Sequence, residues 1–466
     1  MQIPIINGIY TDNAPDFRTS YPRNMVPVPK STGIAAGYLR PAEGALTDGT
    51  GPGVSRGGIN WNGTLYRVMG TSLVRISAGG TATTIGTIAG TTPVSMVYSF
   101  DYLAIAGGGR LYLYDGTTLQ RVVDGDLGTV VDVIWVDGYF MTTDGTSLIV
   151  TQLGDPFAVD PLKYGSSESD PDPVKALLKL RNEVYALNRY TIEVFDNVGG
   201  SVFPFQRIDG AIIERGVIGT HACAVYNQAV AFLGGGREES PAIWLGTYGG
   251  MLKISTREID QVLESFTDAQ LEAVEFETRS FRGHSHLWVR LPDRTMVYDH
   301  AASQEVGSLV WHELSGAVDG HSAYPVRDAI WCYGQWNVAH TSTATFGKLT
   351  DAVSTLWGGV IGWDFNTQIV YNDGGGAVFH ELELVSLTGN VAFGAEPVIW
   401  MQYSLDGNTW SAERSINAGG FGERNRRLAW RGCGKMRDRR IQRFRGTSDA
   451  HIAVARLEAR LEALAA

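Results

Sequence analysis

Histidines, cysteines and paired carboxylates are the usual means by which a protein cleaves bonds or holds metals, and this chain rarely places them at useful spacing. Of nine histidines, only His284-Ser285-His286 approaches a ligand pair. On a strand, residues two apart share a face, so both imidazoles could reach one zinc ion. No cysteine or carboxylate cluster completes such a site nearby in the sequence, so no metal and no cofactor is expected. There is no GxSxG elbow, no Walker loop and no strand-coupled GxGxxG. The glycine runs at 107–109, 234–236 and 374–376 fall between apolar runs, where they read as turns. No catalytic residues are assigned, and the expectation is a protein that is not an enzyme.

One segment imitates a functional motif. Ser404-Leu405-Asp406-Gly407-Asn408-Thr409-Trp410 resembles the Asp-box of sialidases, SxDxGxTW, with one residue fewer between Asp and Trp. Asp-boxes stabilise turns even where genuine, and a single degenerate copy is weak support for glycoside hydrolysis. A glycan-binding or glycan-hydrolysing β-propeller is therefore kept as the alternative reading.

Charge is segregated more sharply than chemistry. Arg414, Arg424, Arg426, Arg427, Arg431, Lys435, Arg437, Arg439, Arg440, Arg443 and Arg445 crowd one stretch, opposed only by Glu423 and Asp438, in a chain whose net charge is −11. Arginine suits bidentate pairing with carboxylates or phosphates. Three readings stay open for this stretch: docking on an acidic protein partner, contact with nucleic acid, or pairing with acidic residues of the same chain.

The elements that must position these groups are strands. A strand–turn–strand unit recurs about every forty residues, the spacing of propeller blades, with copies beginning near Val54, Val94, Val130, Val174, Val217, Ala273 and Val326. In two copies a Trp (Trp61 and Trp135) stands just before or two residues before the turn pair Asn62-Gly63 or Asp137-Gly138, which favours the positive φ of a tight hairpin. The fold expected is all-β: a β-propeller of six or seven blades over residues 51–355, preceded by an extended N-terminal arm (1–50) and followed by a β-sandwich-like domain carrying the basic segment (356–466). Prolines at 4, 15, 22, 27, 29 and 41 speak against regular structure in the arm. Its apolar residues, Phe17, Tyr21, Met25, Tyr38 and Leu39 among them, call for a surface to lie on, either in the same chain or in a neighbouring subunit. Residues 155–173, rich in Gly, Ser, Asp and Pro, read as a solvated loop interrupting the blades. Ser255 to Phe266 reads as a helix with an apolar stripe of Ile259, Val262, Leu263 and Phe266, and the end from Asp449 reads equally as strand or helix.

Composition agrees with a globular chain: 44% hydrophobic and 19% charged residues. The acidic balance disfavours non-specific binding of the whole molecule to nucleic acid or anionic membrane. Cys223, Cys332 and Cys433 lie far apart and read as free thiols of a protein folded in a reducing cytoplasm. No signal peptide or membrane anchor is expected.

The residues also carry a family resemblance. Tyr21-Pro22-Arg23-Asn24-Met25-Val26, Gly37-Tyr38-Leu39-Arg40, Gly53-Val54-Ser55-Arg56-Gly57, Leu65-Tyr66-Arg67-Val68, Thr191-Ile192-Glu193-Val194-Phe195 and Arg215-Gly216-Val217-Ile218-Gly219-Thr220, then Ile254-Ser255-Thr256 to Phe266-Thr267, Val297-Tyr298-Asp299, Asp406-Gly407 and Leu428-Ala429-Trp430-Arg431, resemble in order the tail hub proteins of short-tailed phages. These are also known as packaged DNA stabilisation proteins or tail accessory factors. The resemblance implies a structural protein of the virion tail, assembled in the host cytoplasm, with a propeller and an additional β-domain. It further implies a homo-oligomeric, sixfold ring below the portal and head-to-tail adaptor. That ring would seal packaged DNA, form part of the ejection channel and anchor the tail needle and the tailspikes or fibres. Double-stranded DNA would pass through it without sequence-specific binding. On this reading the docking residues are Arg424, Arg426, Arg427, Arg431, Lys435, Arg437, Arg439, Arg440, Arg443 and Arg445, and the inter-subunit arm carries Phe17, Tyr21, Met25, Tyr38 and Leu39. Residues 155–173 and 457–466 match the family pattern poorly.

Overall fold

A computed structural model describes residues 1–3, 5, 21–30, 37–372, 374–391, 393–407 and 409–464. The fold is all-β, a propeller with a C-terminal sandwich. The chain divides into two compact units: Thr47–Thr278 with Val326–Lys348, and Met1–Leu46 with Arg279–Pro325 and Leu349–Ala466.

Blade-type antiparallel sheets follow one another along the chain. The first runs Ser55–Trp61, Thr64–Met69, Ser72–Ile76, Ala82–Thr87. Four more begin with Ser95–Tyr98, Asp132–Val136, Val174–Leu180 and Cys223–Tyr226, a sixth comprises Glu275–Phe281, His284–Arg290, Thr295–Asp299 and Trp311–Leu314, and a seventh begins with Val326–Cys332. Of the six or seven blades expected, seven such sheets are therefore present among the described residues. The seventh is completed by Gly44–Thr50, which lies beside Thr345–Thr350; Lys348 and Asp48 form an ion pair across that edge at 3.2 Å. Within this unit the seventh sheet adjoins the first, where Ser55 Oγ donates to Asp328 at 2.5 Å.

Local chemistry explains the hairpins. Asn62 and Gly63 have φ of 51° and 75°, and Asp137 and Gly138 have 48° and 89°, the paired positive values of a type I′ turn. Alternation then buries one set of side chains per face, so Leu65, Val68, Leu73, Leu103, Ile105 and Leu113 are all at most 1% exposed. Asp132 ties two sheets together: its Oδ2 accepts from Leu177 N at 2.8 Å, and burial raises its carboxyl above the usual range.

One expectation changes and another is met. Asp155–Ser166 is a strand rather than a loop, paired with Ser147–Gln152 through two register shifts. Its glycine and prolines are accommodated by these bulges, and Val159 is buried. The expected helix is Arg257–Glu264, with Ile259 and Leu263 buried; Ser255 Oγ bonds Asp260 at 2.6 Å.

In the second unit one sheet has the order Met25–Pro29, Gly37–Pro41, Ala453–Ala463, Ala377–Leu387, Leu428–Arg431. Another runs Gly362–Asn366, Arg439–Thr447, Val398–Ser404, Arg414–Asn417. Their common core holds Met25, Leu39, Phe365, Phe379, Leu382, Leu384, Ile399, Met401, Phe444, Val454 and Leu457, with Trp430 over Phe444 at 5.5 Å. Of the prolines that argued against regular structure in the first fifty residues, Pro27 and Pro29 occur in Met25–Pro29, an edge strand, and Pro41 ends Gly37–Pro41, while Pro4 and Pro15 lie outside the described residues. An edge tolerates a missing donor. The chain end from Ala453 resolves as a strand.

Candidate functional site

Strand geometry sorts the basic stretch into buried and exposed halves. Along Arg439–Thr447, Phe444 faces the sandwich core, and Arg440, four residues earlier and so on the same face, is buried with it at 0% exposure. Its guanidinium lies 3.8 Å from the Tyr403 ring centroid and 4.3 Å from that of Phe379. With the Gln442 amide oxygen turned toward it, Gln442 accepts from Arg440 Nη2 at 2.8 Å and from Nε. Desolvation lowers the guanidinium to about 10.

Four further arginines are engaged by the chain's own acids. Arg443 Nη2 lies 2.6 Å from Asp364 Oδ2. Arg445 reaches Glu413 at 2.6 Å and Asp319 at 3.6 Å, and the hydrogen bond it donates to Glu413 raises its pKa. Arg427 clamps Glu383 and Glu381 at 2.6 and 2.7 Å, and Arg431 adds Glu381 at 3.5 Å. Arg439 is half-buried. Arg424, Arg426, Lys435 and Arg437 are exposed, with no ion pair among the described residues. The sequence grouped ten cations; the structure leaves these four with their charge turned to solvent.

The expected arm residues are similarly divided. Met25 and Leu39 are 0% exposed in the sandwich core, and Leu39 pairs with Val454. Tyr38 is half-buried beneath Lys30, whose Nζ lies 5.1 Å from its ring, and Tyr21 is also half-buried. Phe17 lies outside the described residues. Next to this segment Asn24, with φ of 54°, donates to Ser315 O at 2.9 Å and Gly362 O at 2.7 Å and accepts from Ser315 N at 2.9 Å.

The histidine pair acquires a partner that its local sequence hides. His286 stands directly across from Asp299 in the ladder between His284–Arg290 and Thr295–Asp299. His284, two residues earlier, shares that face, and so does His312, which pairs with Val297 on the next strand. Asp299 Oδ1 accepts backbone bonds from Ser285 N at 3.2 Å and Ala302 N at 3.3 Å. Its Oδ2 faces His284 Nδ1 at 2.5 Å and His286 Nε2 at 3.5 Å. His286 and His312 meet edge to face, ring centroids 5.4 Å apart. All four side chains are buried. Burial pushes His286 down to about 4 and His312 well below its ordinary value, leaving neutral imidazoles beside a carboxylate.

A second acidic group lines a cavity of about 300 Å³ in the other unit, bounded by Arg56, His221, Glu275, Glu277, Arg327 and Asp328. It is internally neutralised. Arg327 Nη2 reaches both oxygens of Glu275 at 3.0 and 2.8 Å, and Arg67 Nη1 lies 3.7 Å from Asp328. Glu277 accepts from the backbone of Asp328 and Ala329 at 3.0 and 2.9 Å. Burial opposes the Arg327 charge, yet Asp328, Glu275 and Glu277 together hold its pKa above the ordinary value.

The Asp-box-like segment behaves as a turn. Asp406 Oδ1 accepts from Thr409 N at 2.7 Å and from Ser404 Oγ at 3.0 Å, and Ser404 Oγ accepts from Gly407 N at 2.8 Å. Cys223, Cys332 and Cys433 are free and buried. Among the described residues no helix is long and apolar enough to cross a membrane.

Comparison with known proteins gives two family matches in chain order. The model described as Bacteriophage P22 Gp10, beta-propeller, matches residues 1–354, and the one described as Bacteriophage P22 Gp10, beta-sandwich, matches residues 362–462. The tail hub protein gp10 of Salmonella phage P22 is 26% identical over 462 residues, 94% of each chain. Among solved structures, the computationally designed Ika8 protein is 13% identical at a TM-score of 0.38, covering 75% of this chain and 97% of its own. The Neurospora crassa Pan2 WD40 domain is 10% identical at 0.41, covering 65% and 95%. Scores at that level lie below those from which a shared fold follows.

Proposed function

The chain belongs to the phage P22 Gp10 family, and from that premise we propose that it is a structural tail hub of the virion, assembled in the host cytoplasm and without a catalytic role. The observation that carries this reading is that both family models, propeller and sandwich, match in order and together span nearly the whole chain. In this reading identical copies form a sixfold ring beneath the portal and its head-to-tail adaptor. The ring closes the channel after packaging, lines part of the ejection path, and anchors the tail needle and the tailspikes or fibres.

Three physical features support that role. Blade sheets bury their strands against one another and leave short edges, which makes a stiff platform for docking. A net charge of −11 repels a DNA backbone sliding past, so passage does not become binding. Arg424, Arg426, Lys435 and Arg437, exposed on the sandwich unit, supply the cations for an acidic adaptor surface. The test is reconstitution: DNA-filled heads carrying portal and adaptor but lacking this protein are mixed with the purified chain and imaged. Density added below the adaptor, with sixfold symmetry, is the expected result. Heads that sediment without the protein would overturn the reading.

A further inference from the structure

We propose that His284, His286 and Asp299 form a buried site for one zinc ion, within the sheet from Glu275 to Leu314. The ladder builds the site. Register sets His286 opposite Asp299, and the two-residue strand period brings His284 to the same face. One nitrogen from each imidazole and one carboxylate oxygen all lie within 4.8 Å of one another.

The carboxylate is oriented for this task. Backbone N–H groups of Ser285 and Ala302 occupy Asp299 Oδ1, so Oδ2 alone faces the imidazoles. Such outer bonds fix a ligating carboxylate in the way that metal sites require. Zinc bonds of about 2.1 Å arranged tetrahedrally place ligand atoms about 3.4 Å apart. His286 Nε2 and Asp299 Oδ2 already stand at 3.5 Å. His284 Nδ1 is hydrogen-bonded to the same oxygen at 2.5 Å and must move back by about 0.9 Å as the ion enters. Ligation through Nδ1 requires the neutral Nε2–H tautomer of His284, so its one ring proton moves from Nδ1 to Nε2 and no net proton is released.

A second observation points to a missing ligand. His286 Nε2 and His312 Nδ1 are buried and make no hydrogen bond, although buried polar atoms ordinarily find a partner. For His286 that atom is the one aimed at Asp299. Neutral imidazole is the ligating form of histidine, and an imidazole-rich set favours zinc over calcium or magnesium. The cation Arg279 does not oppose the ion alone, since it is paired with Glu43. The ligands come from two adjacent strands, His284–Arg290 and Thr295–Asp299, so the ion would staple that pair together, with the fourth tetrahedral position left to a water molecule.

The chain is purified without an affinity metal, stripped with chelator, equilibrated with zinc and desalted, and its metal is measured by mass spectrometry. About one zinc per chain is expected for the wild type and for His380→Gln, an exposed control, falling at least tenfold in His286→Gln. Cobalt replacement provides a readout that needs no variant: tetrahedral Co(II) bound by nitrogen and oxygen gives intense visible absorption, which equimolar zinc should abolish. Wild-type protein that retains no stoichiometric zinc and develops no cobalt spectrum would overturn the proposal. Equal zinc in wild type and His286→Gln would overturn it as well.

Discussion

Arg440 offers the sharpest separation between a cation that holds the fold and one that meets a partner. Its guanidinium is fully buried between Tyr403 and Phe379, and Gln442 accepts two of its N–H groups. Each desolvated ring face is worth about 1–2 kcal/mol, and a hydrogen bond from a charged donor about 1.5–3 kcal/mol. Against these stands the penalty for keeping a cation out of water, several kcal/mol, together with a buried Nη1 that has no partner. Arg440→Ala removes the contacts and leaves a cavity beside an unpaired amide, so it should destabilise the sandwich by about 3 kcal/mol. Arg440→Met keeps most of the volume and relieves the desolvation, so its loss should be about 1 kcal/mol. Urea unfolding followed by tryptophan fluorescence, to which Trp400, Trp410 and Trp430 of the sandwich contribute, reads both. An Arg440→Ala midpoint equivalent to less than about 0.5 kcal/mol of change would refute the reasoning. So would an Arg440→Met protein that loses as much stability as Arg440→Ala, since both lack the charge and refilling the volume would then recover nothing.

The exposed cations should show the opposite behaviour. Replacing Arg424, Arg426, Lys435 and Arg437 together by Glu should leave stability within about 1 kcal/mol yet abolish co-sedimentation with adaptor-capped heads, and wild-type co-sedimentation should weaken as salt rises. Asn24→Ala removes three buried hydrogen bonds and should lose about 3 kcal/mol in a melt; Asn24→Gly, freed of strain at positive φ, should lose about 1 kcal/mol less. Burial lowers the His451 imidazole below 6.5, and its Nδ1 lies 2.8 Å from Ser354 Oγ. The unfolded chain therefore binds the proton more readily, so this stabilisation is full above pH 6.5 and fades as pH falls below it. His451→Gln should flatten the acid side of the stability curve, measured as urea midpoints at two pH values flanking 6.5; an unchanged slope would remove His451 as a contributor.

What could be read from the residues was local. Asn62-Gly63 and Asp137-Gly138 announce their own hairpins because turn preference is written into the two residues that adopt it. The blade spacing follows from repetition of such units. What could not be read depends on segments distant in the chain. Gly44–Thr50 completes the seventh sheet from some three hundred residues away, so counting apolar runs left the blade number open. Prolines concealed the strands Met25–Pro29 and Gly37–Pro41 because nothing local tells an edge from a sheet interior. The histidine pair could be seen, but Asp299 joins it only through ladder register, thirteen residues downstream. Composition gathered eleven cations, whereas strand direction decides that Arg440 faces the core and that Arg443 and Arg445 face acids.

The most direct measurement is DNA retention in particles made in a host where this protein is conditionally absent, read by electron microscopy and by nuclease protection of the packaged genome. A structural tail hub predicts heads that fill normally, carry no tail below the adaptor and release their DNA, with both defects restored by the wild-type chain. Particles with complete tails and fully protected DNA would contradict the account.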